Sequence, residues 1–431
     1  LFLKIFKTFG VRLSSAIISL LIAVVISQYL GAEGKGEQGI IITTIALVLI
    51  FANIVGGASL VYLTPKLPLK KLLIPSYVWS FIVCGLFAVI LILFPLIEQK
   101  YIFHVAILAA INSIASVNSS VLLGKENIKA VNIINFTQVA LTILALIVFF
   151  ISGISIDIYG YIYSLYIAYV LTFVASIIFL VPYFENKKTA NSVTYSKAIS
   201  MLFRFGFMNQ LAHITQLLSF RVSYYFLESY QGYDSVGVYS NGVSITESVW
   251  MISGSVALVQ YSKISNTADK QLNQNLSAEL LRISLLVSFF VLIPLVLLPG
   301  SVYSFIFGKD FGDINRIMWL LAPGVLVFVN ALILGHYFSG TGKYYVNSIG
   351  SAIGLLITII LSVIFIPRYG YLGAAFTATI SYLATSVFVT WFFCRESKIK
   401  FVELLPLPRY FSGYYFSLKQ YLCKNKAERN E

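Results

Sequence analysis

Charged residues are scarce in this chain. Asp, Glu, Lys and Arg make up 11% of its 431 residues, where soluble domains run near 25%, and that shortage excludes an ordinary soluble globule. Cysteine is almost missing too: Cys84 and Cys394 lie in apolar stretches and Cys423 in a basic tail, so no disulfide framework is expected. Strict polar/apolar alternation over strand-length segments of about 10 residues is absent, which excludes a membrane β-barrel. Acids are few, and those of the first half, Glu33, Glu37, Glu98, Glu126, Asp157 and Glu185, fall in loops or at the ends of apolar runs. The buried carboxylate that a cation or drug extruder would place there is lacking. No metal site or organic cofactor is expected.

What the chain has instead is apolar length. It is 58% hydrophobic, with a mean hydropathy of +0.87. A spanning helix needs about 20 apolar residues. Twelve windows qualify, near 11–30, 40–63, 75–97, 101–123, 131–152, 159–182, 203–227, 235–261, 279–299, 315–338, 345–366 and 371–394. The expected fold is an all-α polytopic membrane protein with twelve transmembrane helices and short connections. The first run is too long for a signal segment and lacks a small-residue cleavage site, so it is expected to be a retained span. The glycine-rich stretch 31–39 lacks the preceding strand and the Lys-Ser/Thr ending of a phosphate loop and reads as a tight external turn.

The net charge of +13 would suggest nucleic acid in a soluble domain. Here its distribution describes topology. With a cytoplasmic N-terminus, 24 of the 30 Lys and Arg fall on the inner side, five (Lys35, Lys100, Lys309, Arg316, Arg368) on the outer side, and only Arg221 within a span. The positive-inside rule then puts both termini in the cytoplasm, and no nucleic-acid partner is expected. Residues 263–282 read as a polar cytoplasmic connection and Gly308–Gly312 as a charged external turn. The tail, 395–431, mixes aromatic and basic residues, which suits either adhesion to an anionic leaflet or a solvated end.

Residues 183–202 form a polar connection near the midpoint and divide the chain into a first lobe, 1–182, a second lobe, 203–394, and the tail. Lys129-Ala-Val-Asn132 resembles Lys343-Tyr-Tyr-Val-Asn347, and Tyr-Gly-Tyr follows each, at 159–161 and 369–371. Six spans per half make the pseudo-repeat parallel, about an axis along the membrane normal, and such folds carry their substrate pathway between the halves.

The most polar of the twelve windows is 203–227, with Asn209, Gln210, His213, Gln216 and Arg221 inside it. At about 100° per residue, Asn209, His213, Gln216 and Ser223 share a sector of roughly 80°, flanked by Gln210 and Arg221. A wet side must face protein or water. The amides could instead be glue between helices, and Arg221, about 6 residues from the outer end of its window, could snorkel to the interface. In the first half Asn112 belongs to one polar series, and Asn132, Asn135, Gln138 and Thr142 form another at helical spacing. Glu247, in the eighth window, lies in depth between His213 and Arg221. A Glu247 pair with either would neutralise a buried charge, as a fixed structural pair or as a titrating one.

Residues 218–250 also carry a resemblance. Phe220-Arg-Val-Ser223, Val236-Gly-Val-Tyr239 and Glu247 resemble the Tyr-Arg-x-Asp, Val-Gly-x-Tyr and following Glu of the polysaccharide-repeat-unit (O-antigen and capsule) flippases of the multidrug/oligosaccharidyl-lipid/polysaccharide exporter superfamily. Phe307-Gly-Lys-Asp-Phe311, Leu321-Ala-Pro-Gly324 and Gly370-Tyr-Leu-Gly-Ala-Ala375 are similar to other landmarks of that family. Ser223 stands where the family has an acid, so ion coupling through that position is not available. The resemblance implies two lobes working by alternating access in a bacterial inner membrane. Its implied cargo is an undecaprenyl-pyrophosphate-linked oligosaccharide, moved from the cytoplasmic to the outer leaflet for surface polysaccharide synthesis. Other assembly proteins and membrane lipids are the implied partners. Arg221 and His213 would meet pyrophosphate or acidic sugar; Asn209, Gln216, Asn112, Asn135 and Gln138 would meet sugar hydroxyls. Glu247 or His213 would serve a coupling proton or sodium ion. A cation or drug extruder of the same fold, or a membrane glycosyl transferase or polymerase, are the alternatives. The enzyme would need a substantial external catalytic loop, and the external connections are short.

Overall fold

The computed structural model describes residues 2–184, 194–265 and 269–407. The chain order is α1 (Phe2–Ala52), α2 (Gly57–Leu63), α3 (Leu69–Leu93), α4 (Gln99–Gly124), α5 (Ile128–Ile151), α6 (Ile158–Leu180), α7 (Tyr195–Glu247), α8 (Trp250–Ser265), α9 (Lys270–Leu297), α10 (Gly300–Phe307), α11 (Ile314–Gly340), α12 (Tyr344–Ser397) and α13 (Phe401–Leu404). There is no strand among the described residues. Polar caps mark several starts: Asn127 accepts from the amide of Ala130 at 3.1 Å, Asp157 from Gly160 at 3.2 Å and Asp269 from Leu272 at 3.0 Å, each meeting one of the four orphan N–H groups at a helix start.

Among the described residues, eight helices are long and apolar enough to cross a membrane, or nine if the bent pair Gln210–Glu247 and Trp250–Ser265 is one span. The difference from the twelve expected windows lies in α1, α7 and α12, of 51, 53 and 54 residues. As straight rods they would reach about 75–80 Å, more than twice a bilayer core of about 30 Å. Each is broken once, at Gly31 (φ 66°), Gly232 (φ 80°) and Gly370 (φ 56°). Those angles are left-handed, where a Cβ is strained.

Several loop expectations are corrected by these helices. The stretch 31–39 is mostly helix, with its one break at Gly31, and Lys35 within it is buried. Helix α9 begins at Lys270, so most of 263–282 is helical. Gly308–Gly312 is a short turn as expected, with Lys309 and Asp310 exposed, and it is anchored by the fully buried Phe311 and by the Asp310 carboxylate, which accepts from the Ala32 amide at 3.3 Å. The last turns before the midpoint are a short 3-10 stretch, Val181–Phe184, and α7 starts at Tyr195, inside the stretch expected to link two lobes. Residues 185–193 and most of the tail (408–431) lie outside the described residues.

Helix α7 packs along both α12 and α1. Its seam with α12 is built from small residues: Ser219 meets Ser381 at 3.0 Å, the Thr358 hydroxyl donates to the Ser219 carbonyl at 3.2 Å, and Ser223 meets Ser362 at 3.4 Å. Against α1 the approach is closer still. A Cβ on Gly36 would lie 1.9 Å from the Tyr233 carbonyl oxygen, and one on Gly237 would lie 2.0 Å from that of Ala32. Just beyond, Asn241 donates to Ser27 at 2.8 Å. Without hydrophobic segregation to drive association inside a bilayer, such backbone-to-backbone packing is what holds helices together.

Candidate transport site

The polar stripe on α7 divides into three kinds of surface. Gln210 donates to the Ile50 carbonyl at 3.3 Å, and Ser223 belongs to the α12 seam; both act as glue. His213 and Gln216 open onto a cavity of about 290 Å³ between α7, α8, α11 and α12, with His336, Asn347, Thr385 and Phe328 among its walls. Asn347 is held there by its amide, which donates to the Gly335 carbonyl at 2.9 Å and to Ser339 at 3.0 Å. His336 is fixed by a 2.8 Å contact to the Leu332 carbonyl. The cavity wall is thus histidine, amide and hydroxyl on an apolar frame, with no carboxylate or ammonium among its lining residues.

The third surface is charged and closed. Arg221 Nη2 lies 2.9 Å from Glu247 Oε2, and Nη1 lies 3.5 Å from Oε1. The Tyr382 hydroxyl donates to Glu247 Oε1 at 2.6 Å, and the guanidinium sits 5.5 Å from the Tyr224 ring centre. Glu247 keeps only 10% of its side chain exposed and Arg221 25%. A buried pair with this many donors can repay its desolvation; either partner alone could not. Because α7 continues to its break at Gly232, Arg221 stands about 16 Å along the helix from that end, farther than the end of its apolar window suggests.

Between the cavity and the ion pair stand four rings in mutual contact. Phe328, which lines the cavity, packs at 4.7 Å on Trp250 and at 5.3 Å on both Phe220 and Tyr382. Trp250 is held by its N–H, which donates to the Val325 carbonyl at 2.8 Å. Elsewhere on α1, Lys35 is 4% exposed and donates to Gln38 at 2.6 Å.

The residues singled out in the sequence are therefore not gathered into one cavity. His213 and Gln216 share one, Arg221 and Glu247 share a pair, and His213 pairs with neither. Asn112 is half-buried and Asn135 exposed, and neither lines the cavity. Gln138 is half-buried on α5 and does not line the cavity either. The Asn209 side chain lies outside what the structure describes. Sequence reasoning missed Tyr382, Trp250, Phe328 and Asn347. Aromatic and amide residues in apolar windows carry no distinguishing pattern, although Asn347 stood in the Lys343–Asn347 segment that resembles Lys129–Asn132.

No protein-family profile matches the chain. The capsular polysaccharide biosynthesis protein CapF of Staphylococcus aureus is 28% identical over 172 residues, which cover 39% of this chain and 43% of that protein. A Shigella flexneri protein named for O-antigen transport is 23% identical over 292 residues, 65% of this chain and 66% of its own length. The chain thus spans less than two thirds of the length of the curated relatives it matches. Among solved structures, the lipid II flippase MurJ in an inward closed conformation superimposes with a TM-score of 0.73 at 14% identity, covering 93% of this chain and 89% of that one. An inward-facing multidrug resistance MATE family transporter of the MOP superfamily gives 0.68 at 15% identity, covering 90% and 98%. The chain is an all-helical membrane protein with the fold of the MOP superfamily transporters. Its homologues carry the names of capsule and O-antigen proteins.

Proposed function

We propose that this protein is a flippase for a lipid-linked oligosaccharide, carrying an undecaprenyl-pyrophosphate-linked repeat unit from the cytoplasmic to the outer leaflet of a bacterial inner membrane. The observation that carries the reading is the cavity wall: hydroxyls, amides and imidazoles on an apolar frame, suited to sugar hydroxyls rather than to a cation. The fold shared with a lipid II flippase and the relatives' names support it. His213 and Gln216 bind the oligosaccharide. Asn209, Asn112, Asn135 and Gln138 meet it at other stages of the cycle, and other polysaccharide-assembly proteins receive it.

In this reading the breaks at Gly31, Gly232 and Gly370 are turns between spans, which makes twelve spans in two six-helix lobes with both termini cytoplasmic. A pseudo-twofold relation supports the two lobes. Gly36 stands five residues beyond the Gly31 break and meets the residue after the Gly232 break, while Gly237 stands five residues beyond Gly232 and meets the residue after Gly31. Arg221 meets pyrophosphate when Glu247 releases it, and a proton or sodium ion arriving at Glu247 is the releasing event, with His213 as a second candidate for coupling. Deleting the gene in its host tests the function. Lipid-linked repeat units are expected to accumulate on the cytoplasmic leaflet; normal surface polysaccharide would sink the reading.

A second reading, a drug or cation extruder, is favoured by the ring cluster beside Glu247, since aromatic faces attract cations. Against it, Glu247 is already held by Arg221. Unchanged drug susceptibility in the same deletion strain is the outcome that would dismiss it.

A further inference from the structure

A second cavity, of about 590 Å³, opens where the α2–α3 connection, the end of α4, the end of α6 and the start of α7 meet. Lys66, Lys70, Lys71 and Lys125 line it, with Tyr183 and Tyr195 on its walls, and none of its described lining residues is acidic. The fold brings the lysines together by a close approach. A Cβ on Gly124 would lie 2.7 Å from Thr64, so the end of α4 rests directly on the end of α2, and Lys125 arrives beside Lys66. Tyr183 is fixed by a 3.2 Å hydrogen bond from Asn127, the cap of α5.

Two further features face the same space. The 25-residue helix α3 starts here after Pro68, without any side-chain cap on its first amides. The uncapped positive end of a long helix attracts anions. Thr64, 2% exposed, lines the cavity, and its buried hydroxyl has no hydrogen-bond partner. Buried hydroxyls are nearly always paired. The hydroxyl lies sealed against the end of α4, and a rotation toward the cavity would let a ligand supply the missing bond.

We infer that this cavity is a binding site for a phosphate-bearing anion, separate from the transport site, in which Lys66, Lys70 and Lys125 supply charge, the start of α3 supplies free amides and Thr64 a hydroxyl. Two sources carry this chemistry: the headgroup of an anionic phospholipid and a soluble pyrophosphate compound. Because Tyr183 and Tyr195 flank the connection into α7, the ligand would also tie the root of the helix that carries Arg221 to the first half.

The test uses the full chain purified in mild detergent, with native mass spectrometry reading retained phosphatidylglycerol against phosphatidylcholine, and inorganic pyrophosphate as competitor. Wild type is expected to retain phosphatidylglycerol selectively. The variant Lys66→Gln/Lys70→Gln/Lys125→Gln should bind it roughly a hundredfold more weakly, at about fivefold per lysine near a membrane surface. Lys398→Gln/Lys400→Gln, a control at the start of the tail, should bind as wild type. Thr64→Val keeps every charge and should weaken retention several-fold, which covers the case of a triple variant that fails to fold. Displacement by pyrophosphate that the triple variant abolishes assigns the site to a soluble phosphate; retention indifferent to pyrophosphate assigns it to the lipid. Equal retention of phosphatidylglycerol and pyrophosphate by wild type, the triple variant and Thr64→Val would overturn the proposal.

Discussion

Arg221 of the ion pair and His213 of the cavity lie about two turns apart on α7, before its break at Gly232, yet the two sites are opposite in kind. One is charged, shut and internally satisfied; the other is uncharged and open. Four packed rings separate them. In low dielectric a free charge is far more costly than a free amide, so charge is kept paired behind the rings while neutral donors stand in the open space. A polar residue in a membrane segment is thus not yet a contact with cargo. Which side of the ring cluster it occupies decides what it can do at rest.

Breaking the pair should give the largest effect. Glu247→Ala leaves the Arg221 guanidinium buried without a counter-charge, a loss of about 3–5 kcal/mol in comparable pairs. A large drop in thermal stability in detergent is expected, with transport lost. Adding Arg221→Met to that variant should recover much of the stability and none of the transport. Equal stability in the single and double variants would mean that the two groups do not depend on each other.

Next comes the contact that holds α1 on α7. Gly237→Val puts a side chain where only 2.0 Å separates a Cβ from the Ala32 carbonyl. Overpacking of this kind costs about 1–3 kcal/mol, and here the backbones themselves must part. Transport should fall to background, while a cysteine at Ser240, buried beside Gly39, becomes accessible to a water-soluble maleimide. A protected Ser240 position in that variant would show that the crossing adapts without opening.

A smaller effect is expected inside the cavity. His213→Ala removes one exposed donor and leaves the ring cluster and the ion pair untouched. Stability should stay within about 0.5 kcal/mol of wild type, with transport reduced about tenfold, the weight of one hydrogen bond to a charged or polar cargo. Loss of transport with loss of stability would move His213 from the cavity wall into the scaffold.

Hydropathy made the helical membrane class legible, since length and apolar content are local properties. It could not show that α1, α7 and α12 run on through single glycines, because Gly31 looks like any loop glycine until its φ of 66° is known. The Gly-x-x-x-x-Gly spacing shared by 31–36 and 232–237 was present in the sequence, but its meaning depends on two distant helices crossing there. Lys35 shows the limit most plainly. Counted as an external charge, it is buried beside Gln38. At the site, Arg221 and Glu247 were readable as partners because lone buried charges are avoided. Tyr382, 135 residues beyond Glu247, had no such signature.

The smallest effect, and the one that most sharpens the contrast, concerns Asn135. It is exposed on α5, in the first half, and does not line the cavity of the second. If cargo crosses between two lobes, a wet surface must exist on both. Asn135→Ala is then expected to leave stability unchanged and to slow transport about two- to tenfold, the range for one neutral hydrogen bond of about 0.5–1.5 kcal/mol. Asn135→Cys should react with a membrane-impermeant maleimide when cargo synthesis is blocked and be shielded when cargo is abundant. Labelling that ignores cargo, together with full transport in the alanine variant, would confine the path to the wall made by α7, α8, α11 and α12 and leave the stripe on α5 as packing.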